Sequence, residues 1–77
     1  MTWTEAILED INVVRLTQPN VAQLIAAVIL AGEIESVDWK EVNAAIQKRW
    51  SHSARNRVMT MAWKIVEQAR AAQEGSK

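Results

Sequence analysis

The chain has no cysteine, no tyrosine and no phenylalanine, with one histidine, one proline and two glycines. Each scarcity closes off a class of proteins. Without cysteine there is no disulfide staple, no thiol nucleophile and no zinc–thiolate site. So little glycine and proline, beside abundant Ala, Ile, Val, Glu, Gln and Lys, is a helix-forming composition. The longest apolar run, Leu24 to Ala31, is eight residues, far short of the ~20 that cross a bilayer, so no membrane partner is expected. The N-terminal stretch Thr2-Trp3-Thr4-Glu5 carries none of the basic residues of a signal peptide, and an intracellular location is expected.

Catalytic chemistry has little to work with. His52 sits between Ser51 and Ser53, but a triad needs an orienting acid within reach and none stands nearby. Helix-capping serines beside a surface histidine account for the segment. A metal site would need further ligands at helical spacing around His52, and none is present. Glu9-Asp10 and Glu33/Glu35 read as solvated acids. No glycine-rich loop is available to cradle a phosphate. The expectation is a protein without enzymatic activity, cofactor or metal.

What is present is a division of charge. From Met1 to Trp39 the single base Arg15 faces six acids, a formal charge of −5. From Lys40 to Lys77 eight bases face three acids, a formal +5. A concentrated positive field suits nucleic acid, an acidic protein partner, or the acidic half of a second copy in a homodimer. The plainer reading is that the halves neutralise each other within one fold.

Seventy-seven residues make one domain, and one this small buries only about 60–65% of its unfolded surface. Four helices are expected. The first opens on a capping box, Thr2 with Glu5, and continues through Trp3, Ile7, Ile11 and Val14, with Leu8 on the flank. The second runs from about Pro19 to Ala31, its Val21, Leu24, Ile25, Val28 and Ile29 at the 3.6-residue period. Ala22, Ala26, Ala27 and Leu30 make its other faces apolar, so it is the central helix, and Gly32 closes it. Glu33 to Val37 is a loop. Asp38 caps the third helix, with Glu41 three residues on, and Trp39, Val42, Ile46 and Trp50 give its buried face. Ser51 or Ser53 caps the fourth helix, Ala54 to about Gln73. Val58, Met61, Ala62, Ile65 and Ala69 form its stripe, with Met59, Trp63 and Val66 beside it. Residues 74–77 form a frayed tail.

The tryptophans Trp39 and Trp63 read as core, since Trp carries the largest apolar surface. Trp50 ends a helix beside Arg49, where a partner contact competes with packing. On the fourth helix Ser53, Asn56, Arg57, Thr60 and Lys64 recur at spacings of three and four and share one face. Asn and Arg are side chains that read adenine and guanine edges, and Lys, Ser and Thr hold phosphates. Lys48, Arg49 and Arg55 flank that face and are expected on phosphates. A short helix, a tight turn and a basic helix make the helix-turn-helix arrangement. The expected partner is double-stranded DNA, with a protein partner or homodimer as the alternative.

Part of the chain resembles a Myb/SANT-type domain, a three-helix helix-turn-helix fold. Leu24, Val28 and Gly32 match its first helix; Trp39, Val42 and Ile46 match its second. Arg49, Ser51 and Arg57, with the run Ser53-Ala54-Arg55-Asn56-Arg57, have the character of its recognition helix. The resemblance implies an all-α domain in which residues 19–73 form the helix-turn-helix core and residues 1–17 add a helix. It implies that Asn56, Arg57, Thr60 and Lys64 face DNA in a nuclear transcription or chromatin role. The SANT branch of the family implies protein binding on the same scaffold.

Overall fold

The computed structural model describes residues 2–13, 15 and 17–75. They form four helices, α1 (Trp3–Asn12), α2 (Gln18–Leu30), α3 (Trp39–Arg49) and α4 (His52–Gly75), with a single 3-10 turn, Ile34–Ser36, between α2 and α3. The domain is all-α, with no strand among the described residues.

Each helix end is set by local chemistry. At α1 the Glu5 N–H donates to Thr2 Oγ1 at 3.1 Å, and the Thr2 hydroxyl donates to Glu5 Oε1 at 3.2 Å. The box therefore closes through the hydroxyl, a cap of about 1 kcal/mol. Ile7 and Ile11 are buried, with Trp3 and Leu8 half-buried beside them. Val14, expected at the end of that stripe, lies outside the described residues.

Helix α2 begins at Gln18, one residue before the expected Pro19. Thr17 is its N-cap, and its hydroxyl donates to Asn20 Oδ1 at 2.8 Å. Pro19 falls in the first turn, where its missing N–H leaves no intrahelical bond unmade. Val21, Ala22, Ile25, Ala26, Val28 and Ile29 are all buried. The helix is central, packed against both α1 and α4. It closes in a Schellman motif. Gly32 N–H donates to Ile29 O and Glu33 N–H to Val28 O, both at 3.0 Å, and Gly32 takes φ 74°. That left-handed turn is open to glycine at no steric cost.

The segment expected as a plain loop holds the 3-10 turn. Ser36 N–H donates to Glu33 O at 3.0 Å and Ser36 Oγ to Glu33 Oε2 at 2.7 Å. Asp38 N–H donates to Thr4 Oγ1 at 3.0 Å, which ties this segment to α1. Asp38 Oδ1 then accepts from Glu41 N–H at 3.2 Å and starts α3. Val42 and Ile46 face the core, and α3 packs on α1 and α4. Trp39 and Trp50 only lean on it.

Helix α4 starts at His52, two residues before the expected Ala54, because Ser51 is the cap: its Oγ accepts from Ala54 N–H at 3.2 Å. The connection to α3 is only Trp50 and Ser51. The buried row is Ala54, Val58, Ala62 and Val66, at strict four-residue spacing. This corrects the expected stripe. Met61, Ile65 and Ala69 flank the row half-buried, and Trp63 is not core but 42% exposed. Small residues at i+4 form a shallow ridge that lets α4 approach α2 closely. The large side chains are thereby rotated to the edges. Beyond Val66 no side chain of α4 described is buried, so the helix projects and the molecule extends 42 × 24 × 21 Å.

Candidate nucleic-acid interface

Because the Ala54–Val66 row fixes the rotation of α4, it also fixes what α4 shows to solvent. Ser53, Asn56, Arg57, Thr60 and Lys64 are all exposed. At 3.6 residues per turn they fall within an arc of about 100° centred on Thr60, opposite the buried row. The shared face expected of these residues exists. It ends at Glu67, one turn beyond Trp63 and Lys64.

Arg57 is aimed rather than loose. Its Nε donates to Gln18 Oε1 at 3.4 Å and its Nη1 to Ser53 Oγ at 3.1 Å. The first contact reaches from α4 to the opening turn of α2, the second back one turn of α4. Three of the five guanidinium N–H donors stay available.

Beside this face lies an open groove of about 930 Å³, bounded by the start of α2, the α3–α4 turn and the first turns of α4. Arg15, Arg49 and Arg57 bring three guanidinium groups to it, and among the described residues no carboxylate lines it. Pro19, Trp50 and Met61 supply apolar surface. The N-terminus of α2 opens here too, adding the positive end of its dipole.

The flanking cations divide three ways. Arg49 is engaged in the fold: its Nη2 donates to Val13 O at 3.0 Å, and its guanidinium lies 5.3 Å from the centroid of the Trp50 ring. It clamps the end of α1 to the end of α3, and it is half-buried there. It was expected on a phosphate; in the fold the ring that shields it also holds it in place. Arg55 is exposed but turned toward Met59 and Trp63, about 140° around α4 from Thr60. Lys48 is exposed on the outer side of α3 and does not line the groove.

Arg15 was not legible in advance. It is the lone base of an acidic half, in a connection without periodicity, and only the return of α4 past the start of α2 brings it to Arg57. His52 is exposed, and its neighbours Ser51 and Ser53 bond each other at 3.1 Å. Among the described residues no cluster of three His, Cys, Asp or Glu could hold a metal, and no helix is long and apolar enough to cross a membrane. Compared with protein-family models, curated proteins and solved structures, the chain has no match in any of the three.

Proposed function

We propose that this domain binds double-stranded DNA without catalysis, with α4 in the major groove. The observation that carries the reading is the arc from Ser53 to Lys64 lying next to a groove with three guanidiniums and, among the described residues, no carboxylate. In this reading Thr60, near the middle of the arc, and Asn56, at its edge toward Trp63, meet base edges. Asn pairs with adenine and Thr with either phosphate or a thymine methyl. Arg57 and Lys64 at the arc's edge, with Arg15 across the groove, hold phosphates. The two-residue turn between α3 and α4 supports a helix-turn-helix placement, with α3 resting above the backbone. A role at DNA in transcription or chromatin follows from such binding.

Three phosphate contacts set the expected salt dependence. Each contributes about 0.9 to the slope of log affinity against log salt, so the slope is roughly −3. The test is fluorescence anisotropy with random and selected duplexes. Absence of binding at 50 mM salt with tens of micromolar protein, conditions set by about micromolar to 0.1 mM non-specific affinities, would sink the proposal.

A further inference from the structure

The other flank of α4 carries a different kind of site. Ile29 at the end of α2, Ile34 on the 3-10 turn, Trp39 and Asn43 on α3, and Met59 and Trp63 on α4 enclose a notch of about 200 Å³. Trp63 is 42% and Ile34 39% exposed, among the few large apolar side chains the fold leaves in water. Nothing in the core requires this, since Ala62 and Val66 already fill the α4 side of the packing.

The walls are part fixed and part adaptable. The Trp39 indole Nε1–H donates to Ile34 O at 2.8 Å, which holds the ring against the 3-10 turn. Met59 is unbranched and can repack around an inserted group. An apolar cavity of about 150 Å³ takes up a benzene ring, so this notch suits one large side chain rather than a helix face. Asn43 lines it too, and the Asn43 Oδ1 is buried with no hydrogen-bond partner. A buried polar atom left unpaired is costly, and an incoming peptide amide would relieve it. Among the described residues Arg55 is the one charged side chain lining the notch, and it is exposed. The notch continues along α4 into a groove that shares Arg55, Met59 and Trp63 and is also lined by Asn56, Thr60 and Lys64.

We propose that this notch docks an acidic segment of a protein partner, which inserts one large apolar side chain against Trp39 and Trp63 and sets a carboxylate on Arg55. Arg suits a carboxylate because its planar fork can meet both oxygens at once. Tryptophan and arginine are also the residues on which protein interfaces concentrate their affinity. A nucleic-acid backbone fits less well. The notch has one cation, and its Ile34 wall stands between Glu33 and Glu35. Those acids repel a run of phosphates more than a single carboxylate placed at Arg55. The notch adjoins the DNA-reading arc, whose Asn56, Thr60 and Lys64 line the groove it opens into, while the guanidinium groove lies on the other flank of α4.

The test is selection of a random peptide library displayed against the whole chain. The expected consensus is one Leu, Phe or Trp with Asp or Glu within a few positions. A synthetic peptide of that consensus should bind Trp63→Ala at least tenfold more weakly than the native chain. Arg55→Gln should weaken it several-fold and remove most of its salt dependence. Both positions are exposed, and helical circular dichroism checks that both variants fold; should Trp63→Ala fail that check, Arg55→Gln carries the test. The inference is overturned if no peptide is enriched, if the consensus is basic, or if the selected peptide binds both variants as well as the native chain. Duplex DNA binding, measured on the same proteins, depends on Arg15 and Arg57 on the other flank instead, so either activity can fail without the other.

Discussion

Two depressions flank α4, built from the same few residue types in inverse proportion. The groove toward α2 has three arginines and one tryptophan; the notch toward α3 has two tryptophans and one arginine. In the groove, Trp50 serves a cation, lying under Arg49 and holding it against Val13 O. In the notch the relation is reversed: a cation sits at the edge of aromatic surface. Fixed charge in an open groove acts at a distance and weakens as salt rises. Apolar surface in a small notch acts only on contact and is nearly indifferent to salt. One helix can therefore offer two kinds of recognition, provided its buried row keeps them apart.

The strongest way to break this comparison is at Trp39, which is at once a notch wall and part of the packing. Trp39→Ala should cost about 3 kcal/mol, at the low end for Trp truncation because the ring is only half-buried. In a domain this size each kcal/mol shifts the midpoint by about 4–8 °C, so thermal unfolding should move down by more than about 12 °C. A midpoint near that of the native chain would mean that the Trp39–Ile34 hydrogen bond and the packing of α3 contribute little.

The next effect separates the two flanks by salt. Three phosphate contacts, a slope of about −2.7, imply about a 40-fold loss of DNA affinity between 50 and 200 mM salt. Arg57→Ala and Lys64→Ala should each flatten the slope by about 0.9, whereas Arg55→Ala should leave it unchanged. Equal flattening by Arg55→Ala would show that the notch flank also lies on DNA.

What the sequence revealed, and what it hid, follows the same division. The helices were legible because their signals are local: Thr2 and Asp38 cap within three residues, and Gly32 supplies its own positive φ. The exposed arc of α4 was legible because polar residues at three- and four-residue spacing must share a face. The rotation of the apolar side was not. Ala54 and Ala62 carry little hydrophobic weight, yet they lie in the tightest part of the fold. Met61 and Trp63 carry much and sit at its edges. Neither depression could be read in advance, since Arg15, Ile34 and Asn43 join them only through tertiary packing.

Arg49 offers a smaller and more selective test of the groove. Replacing it with Gln removes the guanidinium from the Trp50 face and the bond to Val13 O, which together should cost about 1 kcal/mol. The midpoint should fall by about 4–8 °C, while the DNA salt slope stays within error of the native value. A slope reduced by a full 0.9 with no loss of stability would return Arg49 to the phosphates and make the clamp incidental.

The smallest expected effect is on the stability of Trp63→Ala. A tryptophan in the core would cost about 3–5 kcal/mol to truncate. This one is 42% exposed and lies outside the Ala54–Val66 row. Surface replacements away from caps, charges and cavities stay within about 0.5 kcal/mol, and Trp63 should come close to that limit, with a midpoint shift of only a few degrees. Its DNA salt slope should not change, because Trp63 carries no charge and Arg15 and Arg57 lie on the other flank of α4. The informative contrast is with Trp39→Ala, across the same notch. If the two variants lose equal stability, the notch is simply an imperfectly closed edge of the core, and both tryptophans are structural. If Trp39→Ala melts early and Trp63→Ala does not, one wall is held by the fold and the other is held out to solvent, as a surface kept for a partner requires.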